Sequence, residues 1–375
     1  MNGTDSSSSC GRPVLPAAQR LMRRAVDERM FSGAALMVSH NFTVYHYCTY
    51  GREDYQGGGS VGMETVFDLA SLTKPLATTL AIMYLVHAGR IDPGQRIGHL
   101  VPALAGSGRG CITIADLMCH RSGLPAYRPY YRHLIRLPRH RRPEALKRLL
   151  AAEELVRPVG MTICYSDIGF MILKWVVETA AALPLDRFLS QQVYPSLGLD
   201  EGDAPFYIPL AAGHGGPRRS VAATEHCRWR RRVVKGEVHD RNAWVMDGVA
   251  GHAGLFGTAE TVHRLAAMLL AGHHRSPAGP WPAPLIRRFT TAAAPGERSM
   301  GFDTPDPEQP SCGKHFSASS FGHLGYTGTS FWVDPKTGVI VVLLTNRVHP
   351  RCIDIRIRQF RPRLHDAVCK ALGVG

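Results

Sequence analysis

Phe67-Asp68-Leu69-Ala70-Ser71-Leu72-Thr73-Lys74-Pro75 is the stretch on which the reading of this chain turns. A serine and a lysine stand three residues apart where a long apolar run begins (Leu76, Leu80, Ile82, Met83, Leu85, Val86), which continues to about Ala88 and stops at Gly89. A run that is apolar nearly all round predicts a buried central helix. Residues i and i+3 of a helix share a face and touch. A serine hydroxyl is a weak nucleophile, and an ammonium is no base. A lysine partly desolvated beside the serine is expected to lose its proton near neutral pH and to activate it. By themselves the two residues read equally well as a helix cap and a solvated first-turn lysine, although a cation there opposes the helix dipole. Lysine is scarce: seven of the 44 Lys+Arg.

Upstream, Pro16 to Met30 predicts a helix with Ala18, Met22, Ala25 and Val26 on one face. Gly33 to Gly51 alternates and is broken at Ser39-His40-Asn41, which predicts a hairpin. Downstream, Thr113 and Asp116 stand at capping-box spacing before a short helix ending near His120. Helices are predicted over Asp167 to Ala182 and Thr258 to Ala271, with an irregular, Gly-, Pro- and Arg-rich stretch from about Leu199 to Gly257 between them. The period then changes to two. Gly325 to Val333 and Val339 to Asn346 read as strands, and Pro362 to Leu372 as a last helix. The order suits an α+β fold: an antiparallel sheet built from both chain ends, flanked by helices, with a helical lobe inserted between. We expect a disordered tail over 1–14 and one domain over 15–375. Its sheet lobe covers about 15–68 and 256–375, and its helical lobe about 69–255.

Two further elements bear on chemistry. Tyr165-Ser166-Asp167 lies 94 residues beyond Ser71, just ahead of a helix that Ser166 or Asp167 would cap. A phenol there is a candidate proton shuttle between a serine and a leaving group. His323-Leu324-Gly325-Tyr326 lies 158 residues further on, before Thr327-Gly328-Thr329. The glycine is expected to let a substrate backbone approach a strand edge.

In this order and spacing the three elements resemble the serine β-lactamase and DD-peptidase superfamily, and most closely its class C, penicillin-binding and esterase branch. The resemblance runs from about Pro16 to Leu372. It is supported by Thr113 to Pro125, by Gly251 to Gly257 and by the Phe331-Trp332-Val333-Asp334-Pro335 hairpin. It implies that Ser71 is the acylated nucleophile, Lys74 its basic partner and Tyr165 the tyrosine of a Tyr-x-Asn element. His323 and Gly325 would form the third element in its His-x-Gly form, with His323 polarising Tyr165 or binding a substrate carboxylate. The amides of Ser71 and Tyr326 would make the oxyanion hole. Asp167 stands where the family has asparagine, at a substrate-binding position. The activity implied is acyl transfer to serine from an ester or amide, as in a carboxylesterase or D-peptide hydrolase. β-Lactamase, DD-carboxypeptidase or penicillin-binding activity is the alternative, and a non-catalytic acyl sensor stands behind both. No cofactor is implied.

Lys336-Thr337-Gly338 spells the family's third motif but falls in turn chemistry. Ser311-Cys312-Gly313-Lys314 lies in a loop. Gly58-Gly59-Ser60-Val61-Gly62 spells a nucleophile elbow without the strand and helix that an elbow needs. The net charge is +14, densest over Arg128 to Arg148, where a solvated helical face is favoured over a nucleic-acid patch. A basic surface also attracts anionic substrates. The expected partner is a small-molecule ester, lactam or peptide substrate, not nucleic acid or membrane. Nine irregularly spaced cysteines, no apolar run of membrane length and no secretory leader are read as a reduced, cytoplasmic setting.

Overall fold

The computed structural model describes residues 15–106, 109–200, 202–210, 220–274, 281–294 and 296–375. The expected tail over 1–14 lies outside them. Helix α1 (Pro16–Asp27) opens on a proline whose fixed φ suits the first helical turn, and buries Ala18, Met22 and Ala25. Strands β1 (Gly33–His40) and β2 (Thr43–Gly51) form the predicted hairpin. Its two-residue turn puts Asn41 and Phe42 at positive φ, which matches the strand twist.

The Ser71 stretch enters as a short strand, Phe67–Asp68, and a 3-10 turn, Ala70–Leu72. A wide π-helical turn, Lys74–Thr79, follows and only then helix α2 (Leu80–His87). The middle of the chain is helical, with α3 (Asp167–Ala181) packed on the Lys74 turn and on α2. Helix α4 (Ala259–His273) leads back to the sheet. There follow β3 (Phe321–Leu324), β4 (Ser330–Asp334), β5 (Val339–Thr345) and α5 (Ile357–Leu372).

The five strands form one antiparallel sheet in the order β2-β1-β5-β4-β3, so β1 pairs with β5 from the far end of the chain, Ala34 opposite Thr345. On β5, Val339, Val341 and Leu343 face the core under α1 and α5. Ile340, Val342 and Leu344 face the larger core shared with α2, α3 and α4. Both faces are buried, so β5 is apolar throughout. No single helix among the described residues is long and apolar enough to cross a membrane. Asp167–Ala181 and Leu185–Ser196 pass only as a pair bent by 62°.

Two boundaries differ from the sequence reading. The expected strand over Gly325 to Val333 is a turn followed by β4, because the chain must fold over the Ser71 loop before it pairs. Helix α5 starts at Ile357 rather than Pro362, and the proline sits inside it, near the start.

Candidate active site

Ala70 precedes Ser71 at φ +48°, a conformation that strains a residue with a Cβ and holds the turn in place. The buried Asp68 carboxylate accepts the Ala70 amide at 2.8 Å and the His239 amide at 2.6 Å. Thr327 and Thr329 donate to the carbonyls of Asp68 and Leu69 at 2.8 and 3.0 Å. Thr73 Oγ1 donates to Ala70 and accepts the Leu255 amide. The serine is thereby stitched to three distant segments, at His239, Leu255 and Thr327 to Thr329. A 3-10 turn has three residues per turn, so Lys74 stands directly over Ser71.

Lys74 is fully buried. Its Nζ donates to Ser71 Oγ at 3.0 Å, Asp167 Oδ1 at 2.7 Å and the His252 carbonyl at 3.3 Å. Burial alone would depress this lysine, but the Asp167 carboxylate and the Tyr165 phenol outweigh it and hold Lys74 up at about 12. The expectation that Lys74 sheds its proton near neutral pH is therefore corrected. Asp167, expected to face substrate, is the counter-ion that keeps the lysine charged. The ammonium's three hydrogens are all engaged.

Tyr165 lies against this pair, with Lys74 Nζ 4.7 Å from its ring centroid and the Arg298 guanidinium 5.1 Å from it. Burial raises its phenol above the ordinary value, with Lys74 opposing. Ser166 caps α3 through Gly169 and donates to the Pro125 carbonyl at 2.7 Å, while its amide reaches His120 Nδ1 at 3.0 Å. That explains the Thr113 to Pro125 segment: it is the frame behind Tyr165. The His120 ring lies 4.5 Å from the Tyr165 ring, and burial keeps it neutral, far below the usual histidine range.

His323 sits on β3 with its ring 6.0 Å from Tyr165 and Nδ1 on the Leu324 carbonyl at 2.9 Å. Burial pushes it down to about 4. A neutral imidazole brings no charge to a substrate carboxylate, so that part of the expectation is also corrected. Gly325 donates its amide to the Thr329 carbonyl at 2.7 Å. A Cβ on it would stand 1.9 Å from Thr329 Oγ1 and 2.7 Å from the Leu69 carbonyl. The protein's own turn thus already requires a glycine at this position on the cleft wall. The amides of Ser71 and Tyr326 donate to no group among the described residues.

These residues open on a cleft of about 370 Å³ lined by Ser71, Tyr165, His323, Gly325 and Tyr326. Sequence reasoning missed the arginines that share its wall, Arg298, Arg347, Arg358 and Arg361, with Asp303. Each is one among many arginines in a basic chain, and nothing local marks it. His252, left open as structural or site-lining, is 2 % exposed and bonds Asp240 at 3.0 Å. It contributes its carbonyl to Lys74. Lys336 to Gly338 lies in the β4–β5 turn, away from the cleft.

A family profile described as Beta-lactamase matches residues 18–359. The chain belongs to the beta-lactamase family. It is 30 % identical over 366 residues to a putative D-alanyl-D-alanine carboxypeptidase of Escherichia coli (strain K12), covering 89 % of this chain and 82 % of that one. It is 31 % identical over 369 residues to an N-acetylmuramyl-L-alanine amidase of Bacillus subtilis (strain 168), covering 86 % and 79 %. Among solved structures it resembles EstCE1, a hydrolase with promiscuous acyltransferase activity, at TM-score 0.73 and 20 % identity, over 95 % of this chain and 98 % of that one. As a member of this family the chain has the α+β fold expected of it.

Proposed function

We propose that the protein is a serine acyl hydrolase in which Ser71 attacks an ester or amide carbonyl, becomes acylated and is freed by water. The observation that carries this is the continuous chain from Ser71 Oγ to Lys74 Nζ to Asp167 Oδ1, in steps of 3.0 and 2.7 Å, opening on the cleft.

Because Lys74 rests as the ammonium, it acts as a relay. The Ser71 hydroxyl proton passes to Nζ as another Nζ proton passes to Asp167, and the Oγ electron pair forms the bond to the carbonyl carbon. The carbonyl oxygen takes the displaced pair and rests on the amides of Ser71 and Tyr326, two donors worth several kcal/mol of barrier. Collapse expels the leaving group, which takes the Tyr165 phenol proton; Tyr165 recovers it from Asp167 through Lys74. A raised phenol suits that step, since it stays protonated until a departing amide nitrogen or alkoxide meets it. His323 supports Tyr165 as a neutral ring.

The names of the relatives favour an amide of a cell-wall peptide as substrate, processed as by a D-peptide hydrolase or amidase. Penicillin binding or β-lactam hydrolysis is the second reading. Asp167 speaks against it, because a carboxylate bound to Lys74 has no N–H to offer a lactam side chain. A tagged fluorophosphonate is expected to label Ser71 in the native protein and to leave folded Ser71→Ala unlabelled; equal labelling of both would overturn the assignment. Turnover of nitrophenyl esters and D-peptides against nitrocefin separates the two readings.

A further inference from the structure

The walls of the cleft are out of electrostatic balance. Four guanidiniums line it, from Arg298, Arg347, Arg358 and Arg361, against one carboxylate, Asp303. Asp303 is taken by Arg298. Asp354, close in sequence to this wall, gives its carboxylate to Arg356. Among the described residues, Arg347, Arg358 and Arg361 have no carboxylate within ion-pair distance.

Two of the three are buried: Arg347 is 8 % and Arg361 5 % exposed. Arg347 donates to the carbonyls of Tyr326, Cys352 and Asp354. Arg361 donates to those of Gly325 and Thr329, and its Nε is buried with no partner. Neutral carbonyl dipoles soften a buried charge without cancelling it, and a buried charge left unpaired is strongly unfavourable. The strain shows in Arg361, which burial and the neighbouring Arg347 and Arg358 push down to about 9.

Helix α5 aggravates the imbalance. Its N-terminal end faces the cleft with Ile357, Arg358 and Arg361, and its first turn holds no acidic residue. Cations at a helix N-terminus oppose its dipole, whereas an anion there is stabilised. Buried arginines, one with an unpartnered Nε, and a helix N-terminus share the cleft with Ser71.

We propose that this wall binds a doubly anionic group of the substrate, a pair of carboxylates or a phosphate. Arg347 and Arg361 hold it at the foot of α5, and Arg358 closes on it from the rim. A single carboxylate would offset one of three unpaired charges and leave two. This rests on the cleft being the substrate site of the hydrolase proposed above. It deepens that reading by naming what the substrate carries besides its scissile bond.

The test reads binding, so it does not depend on acylation. Calorimetric titration of Ser71→Ala with benzoate, isophthalate and phenyl phosphate compares one carboxylate, two carboxylates and a phosphate. Isophthalate or phenyl phosphate is expected to bind at least tenfold more tightly than benzoate, and which of the two wins identifies the group. Adding Arg358→Gln, an exposed site, is expected to lower the ratio several-fold, with Arg347 and Arg361 keeping it above one. Arg148→Gln, on the remote Arg142–Ala152 helix, is expected to leave it unchanged. Equal binding of all three anions, or a preference insensitive to Arg358→Gln, would overturn the proposal. Fluorophosphonate labelling of wild-type Ser71, run alongside, reports separately on the hydrolase reading.

Discussion

Replacing Asp167 by asparagine is the sharpest probe of the site, because it converts the second element to the family's amide and removes the counter-ion of a buried lysine in one step. The Lys74–Asp167 contact is 2.7 Å, with Lys74 fully buried and the Asp167 side chain 23 % exposed. At an effective dielectric of about 20, unit charges so placed interact by about 6 kcal/mol. Lys74 now stands at about 12. Without Asp167, burial acts unopposed by that carboxylate and the lysine's pKa falls. The variant should lose the relay at pH 7, where kcat/KM for a nitrophenyl ester drops by about 10²- to 10⁴-fold. It should regain activity as pH rises, once Lys74 becomes a free amine and a base in its own right. Breaking a buried pair from one side also costs about 3–5 kcal/mol of stability. The wild-type contribution has the sign of a raised lysine: fully present below the unfolded value near 10.5 and lost as pH rises through about 12. The assay is kcat/KM from pH 5 to 10, with urea denaturation on the same samples. An unchanged rate at pH 7 with no new limb on the alkaline side would refute Asp167 as the proton acceptor.

Two other outcomes are open to direct measurement. Gly325→Ala places a Cβ 1.9 Å from Thr329 Oγ1; a loss of about 1–3 kcal/mol in urea denaturation and of ester hydrolysis is expected, and a variant of normal stability and rate would show that the turn is not packed as described. Four buried histidines are held neutral by burial, His263 and His323 at about 4, His365 at about 3 and His120 well below the usual range. Their unfolded forms take up protons first, so this stability is complete above about pH 6.5 and is lost as pH falls toward the folded values; by pH 5.5 the four together cost about 5 kcal/mol. Denaturation midpoints that stay flat between pH 7.5 and 5.5 would contradict it.

Much of the architecture was legible because it rests on local chemistry. Pro16, the Thr113–Asp116 capping box, Ser166 before α3 and the Asn41 turn each mark a boundary through a backbone preference, and each stands where the sequence reading put it within a few residues. The boundaries that moved depend on distant partners. Gly325 to Thr329 alternates like a strand, yet it is a turn because Thr327 and Thr329 must reach Asp68 and Leu69. Of the candidate site, Ser71, Lys74, Tyr165 and His323 were named from spacing and resemblance; Ser71, Tyr165 and His323 line one cleft, and Lys74 is buried behind Ser71. Arg298, Asp303, Arg347, Arg358 and Arg361 were not, because a residue's arrival at a cleft through the fold leaves no mark in its own neighbourhood.

The sequence alone determined which groups are present and in what order: a serine and lysine one turn apart, a tyrosine before a capped helix, a histidine and glycine near the last hairpin. Those facts follow from helix and turn periodicity, which act over a few residues. Only the tertiary structure decided their protonation. Burial and the contact between residues 74 and 167 turn the expected base into an ammonium relay, and burial, helped by the nearby Lys74 and Arg298 cations, strips His323 of its charge. Charge state depends on what surrounds a group in three dimensions, and in this protein those surroundings come from segments far apart in the chain.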